Sequence, residues 1–346
     1  MNYWLILQIC GYFLAALILT ALITPPIIKR AISWKILDTP NGRKVHKYSK
    51  PRVGGLAMFC IFFILVLTID IYSPLIRGVI VGSTLITFFG FLDDLLGIRA
   101  LPKLLFQLMV AFITASPFFG FDIQINSLTV LSQVTIPLGF LSVPITMIWI
   151  VGVMNAINLI DGLDGLAAGI SAIAAFTFCV AAFAFGHIDT GLMLAVLLGV
   201  TLGFLRYNFN PARLFMGDSG SYFLGYNLAV LSVIGIWNHE GVFSFAIPVL
   251  VLGIPFYDVL TSILRRLKNK KPIFSADGQH IHHRIMAIGF THKQTVIVIY
   301  LESLFLAVSS GSLILIKNNA AILVFALIVF LIHFSFVYLK NHYKEQ

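Results

Sequence analysis

The chain has 346 residues, a net charge of +9, and a composition that is 59% hydrophobic but only 11% charged. A soluble globular domain carries about 25% charged residues, so a reading as two or three soluble domains is excluded. The basic balance would suit nucleic acid, but charge-free runs of this length leave no recognition fold. Basic loops of a membrane protein report topology and anionic headgroups instead.

Charge-free runs recur throughout, among them Met1–Ile28, Leu104–Phe121, Gly165–His187, Ser219–His239 and Asn318–Leu339. Each approaches or exceeds the roughly 20 apolar residues that cross a bilayer as a helix. The expected fold is an all-α polytopic membrane protein, one domain over 1–346. Eleven transmembrane helices are expected, near 4–28, 53–70, 77–92, 103–119, 138–158, 165–186, 189–205, 219–237, 242–264, 294–316 and 319–339. The first is read as a helix, not a cleaved leader, because its first basic residue, Lys29, follows the apolar run.

With the N-terminus outside and sides alternating, the C-terminus is cytoplasmic and 21 of the 23 Lys and Arg residues fall inside. Only Arg77 and Lys317 fall outside, the asymmetry that the positive-inside rule demands. The inside segments of chemical interest lie near 38–55, 93–103, 155–164, 206–218 and 265–293.

In chain order, the first is the basic loop from Asn41 to Gly55, with Arg43, Lys44, His46, Lys47, Lys50 and Arg52. It reads either as a topology and lipid-headgroup signal or as a phosphate-handling lip. Next, Asp93 and Asp94 close an apolar span, with Arg99 and Lys103 following. Adjacent carboxylates there are costly unless they meet a cation, which points to Mg²⁺ or phosphate chemistry. The plain alternative is a solvated helix end paired to Arg99 and Lys103. The outside connection from Gly120 to Leu138 alternates β-branched and polar residues and predicts a small β-hairpin.

In the run from Asn155 to Gly165, Asn155, Asn158, Asp161 and Asp164 recur every third residue. On a straight helix each step of three turns back about 60°, so the four cannot face one ligand unless the helix breaks. Gly162 and Gly165 supply that break. An Asx-rich turn is the bland alternative, but a turn needs one or two such residues. In the run Phe215 to Ser221, Asp218 taken alone reads as a helix N-cap. The run Asp277 to Arg284 offers His282, His283 and Arg284 as donors to phosphate oxygens. Its spacing fits no zinc pattern, and Cys10, Cys60 and Cys179 lie in apolar stretches.

The span interiors are nearly free of charge, Glu302 being the main exception. A transporter gathers ionisable groups near the midplane on broken helices, whereas here they collect on one face.

The ordered strings DTPNGRKVH, PRVGG, FLDD, NAINLIDGLDGL, FMGDSGS and HIHHR, from about residue 38 to 290, resemble the bacterial polyprenyl-phosphate N-acetylhexosamine-1-phosphate transferases. The HIHHR form is similar to the branch using UDP-N-acetylglucosamine, and Ile281 departs from the three consecutive His of the phospho-N-acetylmuramoyl-pentapeptide branch. The resemblance implies an enzyme of the bacterial cytoplasmic membrane, active on the cytoplasmic face, with Mg²⁺ as cofactor and Mn²⁺ as a substitute. It implies undecaprenyl phosphate and a UDP-sugar as substrates, UMP as product, and a homodimer as one possible assembly. It also implies Asp218 and Asn158 as metal ligands, with Asp93, Asp94 and Lys103 as catalytic groups. Asn155, Asp161, Asp164, His282, His283 and Arg284 are then substrate-binding. A different donor sugar, or a lipid-linked sugar transporter, remain the alternatives.

Overall fold

A computed structural model of the chain describes residues 3–38, 49–131, 134–238, 244–270, 272, 279–315, 324, 327 and 328. Most of the basic loop (39–48), Asp277, His239, His333 and nearly all of the expected last span lie outside the described residues.

Helices dominate the described residues. They run α1 Tyr3–Ser33, α2 Gly54–Leu67, α3 Pro74–Leu96, α4 Ala100–Ala115, α5 Ser142–Ile160 and α6 Leu166–Ala184. Then come α7 Ile188–Asn208, α8 Gly217–Ser232, α9 Ala246–Val251, α10 Gly253–Lys268, α11 Ile281–Ala287 and α12 His292–Leu315. Among the described residues, seven helical segments are long and apolar enough to cross a membrane; α2 and α4 are apolar but shorter. The chain is a multi-pass membrane protein.

One expected span is divided. The stretch 242–264 breaks at Leu252 into α9 and α10. Pro255 accounts for the position: it lacks an N–H and is tolerated only in a helix's first turn, so α10 must start just ahead of it. α10 is amphipathic, with Leu260, Leu264 and Leu267 exposed and Arg265, Arg266 and Lys268 in its last turn. The expected outer hairpin is present as β3 Ser127–Leu131 against β4 Val134–Pro137, antiparallel with Leu128 opposite Ile136. A second small pair, β1 Leu37–Asp38 and β2 Lys50–Pro51, joins the two ends of the basic loop.

α8 is the axis of the bundle: 94% of its spanning window is buried, against 11% for peripheral α1. Without a hydrophobic drive between helices in lipid, such packing relies on close backbone approach. Gly90 of α3 illustrates it, since a Cβ there would come within 2.6 Å of Ser219 Cα. The last turns of α3, α5 and α7 and the first turns of α4, α6 and α8 therefore meet at one end. The β3–β4 hairpin, between α4 and α5, lies at the other.

Candidate active site

The two segments that open α2 and α8 are stitched together by backbone. Gly54 N donates to Phe215 O at 3.0 Å, Gly55 N to Met216 O at 3.1 Å, and Phe215 N to Pro51 O at 2.8 Å. This places Arg52 beside Asp218. Gly217, at φ +75°, sits in the left-handed region where a side chain is strained, and so turns the chain into α8.

Asp218 is the hub. Its Oδ1 accepts from Arg52 Nη2 at 2.9 Å and Asn158 Nδ2 at 3.1 Å, and its Oδ2 from Lys103 Nζ at 3.0 Å. Lys103 also lies 2.5 Å from Asp93 Oδ2, bridging the ends of α3 and α8 from the start of α4. Asp93 Oδ1 accepts Ile98 N–H at 2.8 Å. Asp94, one residue on, points elsewhere: Oδ1 accepts Asp218 N–H at 2.7 Å and Arg52 Nε–H at 3.0 Å. Its Oδ2 accepts Ser219 N–H at 3.1 Å and Ser219 Oγ–H at 2.9 Å. Asp94 braces the start of α8 and is closed off from solvent.

The helix break expected between Asn155 and Asp164 is observed: α5 stops at Ile160 and α6 starts at Leu166. The break brings Asp161 within reach of the charge of Asp218, to which Asn158 bonds. Asp161 feels Arg52, Asp218, Asp94 and Asp164. Burial and the three carboxylates push its pKa well above the ordinary range, against the pull of Arg52. Burial opposes the charge of Arg52, but Asp94, Asp218, Asp38 and Asp161 outweigh it and raise its pKa. Asp164 Oδ2 accepts Ala212 N–H at 2.9 Å and Asn210 Nδ2–H at 3.3 Å, with Lys50 Nζ at 3.7 Å.

A cavity of about 490 Å³ opens beside this cluster. Its wall includes Lys50, Arg52, Asp161, Asp164, Phe215 and His282, with His283 and His292 also on it. Lys50 Nζ lies 5.0 Å from the Phe215 ring centroid. His282 is held neutral: burial first, then neighbouring His283, pulls its pKa down to about 3. Its buried Nδ1 has no hydrogen-bond partner among the described residues.

Two expected site residues lie off this surface. Asn155 donates through Nδ2 to Gln107 Oε1 at 2.6 Å and Val151 O at 2.8 Å, knitting α5 to α4. Arg284 lies beside Tyr257 and does not line the cavity. Sequence reading missed Arg52 as an individual residue, and missed Asn208, whose side chain joins Gly165 N and Leu214 O.

Among the described residues, no three His, Cys, Asp or Glu side chains stand ready-made as a metal site. The charge nevertheless suits a divalent cation. Among the described residues, Asp93, Asp94 and Asp218 set three carboxylates against Arg52 and Lys103, with Asp161 beside them. Carboxylate oxygens are the donors that a hard cation takes. Asn158 turns its amide nitrogen to Asp218, so a ligand role requires that amide to rotate.

Architecture and site together define a class: a polytopic membrane enzyme whose charged groups meet at one end of an apolar bundle. The model of glycosyl transferase family 4 matches residues 76–236. A Bacillus subtilis (strain 168) protein named a probable undecaprenyl-phosphate N-acetylglucosaminyl 1-phosphate transferase is 42% identical, covering 91% of this chain and 88% of the relative. A decaprenyl-phosphate N-acetylglucosaminephosphotransferase of Mycobacterium tuberculosis (strain ATCC 25618 / H37Rv) is 32% identical, with 91% and 85% covered. A phospho-N-acetylmuramoyl-pentapeptide-transferase of Staphylococcus aureus (strain MSSA476) is 32% identical, with 84% and 94% covered. The chain belongs to glycosyl transferase family 4.

Proposed function

We propose that this enzyme transfers N-acetylglucosamine 1-phosphate from UDP-N-acetylglucosamine to undecaprenyl phosphate, releasing UMP. The observation that carries the reading is the junction of a carboxylate–cation cluster with a polar cavity of about 490 Å³ at one end of the bundle. The name of the Bacillus subtilis relative supports this acceptor and the transferred N-acetylglucosamine 1-phosphate. The site faces the cytoplasm in this reading, supported by the Lys and Arg asymmetry of the loops.

The chemistry follows from charge. An oxygen of the lipid phosphate attacks the sugar-linked phosphorus of the donor. A new P–O bond forms, the bond to the bridging oxygen breaks, and its electron pair leaves with UMP. Such a transfer needs in-line positioning and charge neutralisation more than covalent help. Lys103 and Arg52 supply positive charge to the phosphates, and Asp93 positions the acceptor phosphate or takes its proton. The cavity wall of Lys50, Phe215, Asp161 and Asp164 holds the nucleotide end. His282 and His283 meet the diphosphate and sugar, and a ligand there would satisfy the orphaned His282 Nδ1. Asp218 and Asn158 would hold Mg²⁺, which neutralises phosphate charge when bound; Mn²⁺ has the same donor preference.

The test is UMP release by purified protein given both substrates, with Mg²⁺ and then with chelator. Release that needs lipid, donor and metal is expected. Release from another UDP-sugar alone would change the donor. Substrate flux across sealed vesicles without UMP would replace the enzyme with a transporter.

A further inference from the structure

The His loop is gripped from α10 by a residue that no motif singles out. Asp258 is 2% exposed. Its Oδ2 lies 2.7 Å from His280 Nδ1, and its Oδ1 accepts the N–H of Ile281 at 2.8 Å. Next to it on α10, Tyr257 lies close enough to Arg284 to feel its charge. His280 and Arg284 are one helical turn apart, with Arg284 N donating to His280 O at 3.2 Å. The first end of that turn is therefore tied to α10 and the other lies against it, while His282 and His283 reach the cavity. A carboxylate only accepts, so His280 carries its proton on Nδ1. The His280 ring stacks parallel to His282, 5.8 Å between centroids, and His282 lies against Gly162 in the turn between α5 and α6.

We infer that Asp258 is a positioning residue: through His280 and Ile281 it sets where His282 and His283 stand against the nucleotide-sugar. The inference rests on the proposed reaction for its kinetic readout only. Asp258 does not line the cavity, so its effect must pass through α11. Asp258→Asn keeps a carbonyl for Ile281 N–H but offers His280 an N–H donor, forcing the other tautomer.

The expected kinetic signature is a split. With Asp258→Asn, kcat/KM for UDP-N-acetylglucosamine falls on the order of tenfold to hundredfold, as displaced contact groups produce. KM for undecaprenyl phosphate is unchanged. Asp258→Asn combined with His280→Gln is no worse than Asp258→Asn alone, because both remove one contact. Equal loss for both substrates, additive effects, or parental kinetics would overturn the inference. Hydrogen exchange tests it independently of any reaction. In Asp258→Ala, amides of 279–288 exchange faster while those of α6 hold their parental rates. Parental exchange at 279–288 would also overturn it, whether or not UMP is released.

Discussion

Asp94→Asn separates a bracing residue from a reacting one. In the folded protein, Asp94 accepts four hydrogen bonds: Asp218 N, Ser219 N, Ser219 Oγ and Arg52 Nε, between 2.7 and 3.1 Å. An asparagine can accept through one oxygen only. Its better orientation keeps that oxygen on Asp218 N and Arg52 and turns the nitrogen to Ser219, whose hydroxyl can rotate to accept. Ser219 N–H is then orphaned. A buried orphan costs ~1–3 kcal/mol, and a charged bond made neutral costs ~1 kcal/mol more. The loss is thus ~2–4 kcal/mol, discounted at Arg52 for its partial exposure. At ~2 °C per kcal/mol for a chain this long, the midpoint falls by ~4–8 °C.

The assay is fluorescence-detected chromatography after stepped heating in detergent, alongside UMP release. The companion variant is Asp93→Asn, which retains an acceptor for Ile98 N–H and leaves Lys103 its bond to Asp218. It should lose activity with less than half the thermal shift. An Asp94→Asn protein that is inactive yet as heat-stable as the parent would refute the bracing role and put Asp94 against substrate.

Lowering pH should loosen the His loop. His282 has a folded pKa near 3 against an ordinary 6.5, so the unfolded chain binds the extra proton between them. The stability it contributes is full above ~6.5 and is lost as pH falls toward ~3, by at most ~1.4 kcal/mol per unit. Exchange of 279–288 read from pH 7 to 5 should show it, and His282→Gln should flatten the slope. Gly162→Ala should raise KM for the donor, since its Cβ would stand 2.5 Å from His282 Nε2; unchanged KM would mean the ring is free to move. Tyr300→Phe removes a hydroxyl bonded to Gly165 O at 2.5 Å. It should cost ~1 kcal/mol and slow transfer, measured by thermal midpoint and kcat.

Much of the fold was legible because hydropathy and loop charge are local properties. The break after Ile160 was legible from spacing, since four polar residues at period three cannot share a helical face. Adjacent Asp93 and Asp94 were not separable, because a 100° turn per residue sends neighbours to different partners and only the fold names those partners. Asn155 was expected at the ligand, but it lies three residues from Asn158 on the still-straight part of α5 and meets α4. Arg52 was hidden in a basic loop, and its partner Asp218 is 166 positions away. Asp258 was hidden for the opposite reason: it is a lone acid in an apolar stretch, paired only through tertiary structure. Pro255 did signal the break at Leu252, but hydropathy averaged over a span hides it.

The charge arrangement couples the two ligands of the proposed reaction. Arg52 and Lys103 are both committed to Asp218. A diphosphate in the neighbouring cavity competes for those cations and leaves the carboxylates less compensated. That raises their affinity for a divalent cation, and linkage makes the effect reciprocal. Donor affinity should therefore rise with Mg²⁺, and Mg²⁺ affinity with donor, by the same factor. Each ligand should also stabilise the fold, by about 2.7 kcal/mol at a hundredfold excess over Kd. Titration calorimetry in both orders measures the coupling. Lys103→Met should shrink it, because one of the two shared cations is gone before either ligand arrives. Donor binding that is indifferent to Mg²⁺ in the parent would mean that Asp218 keeps both cations throughout, and the shared-charge account would fail.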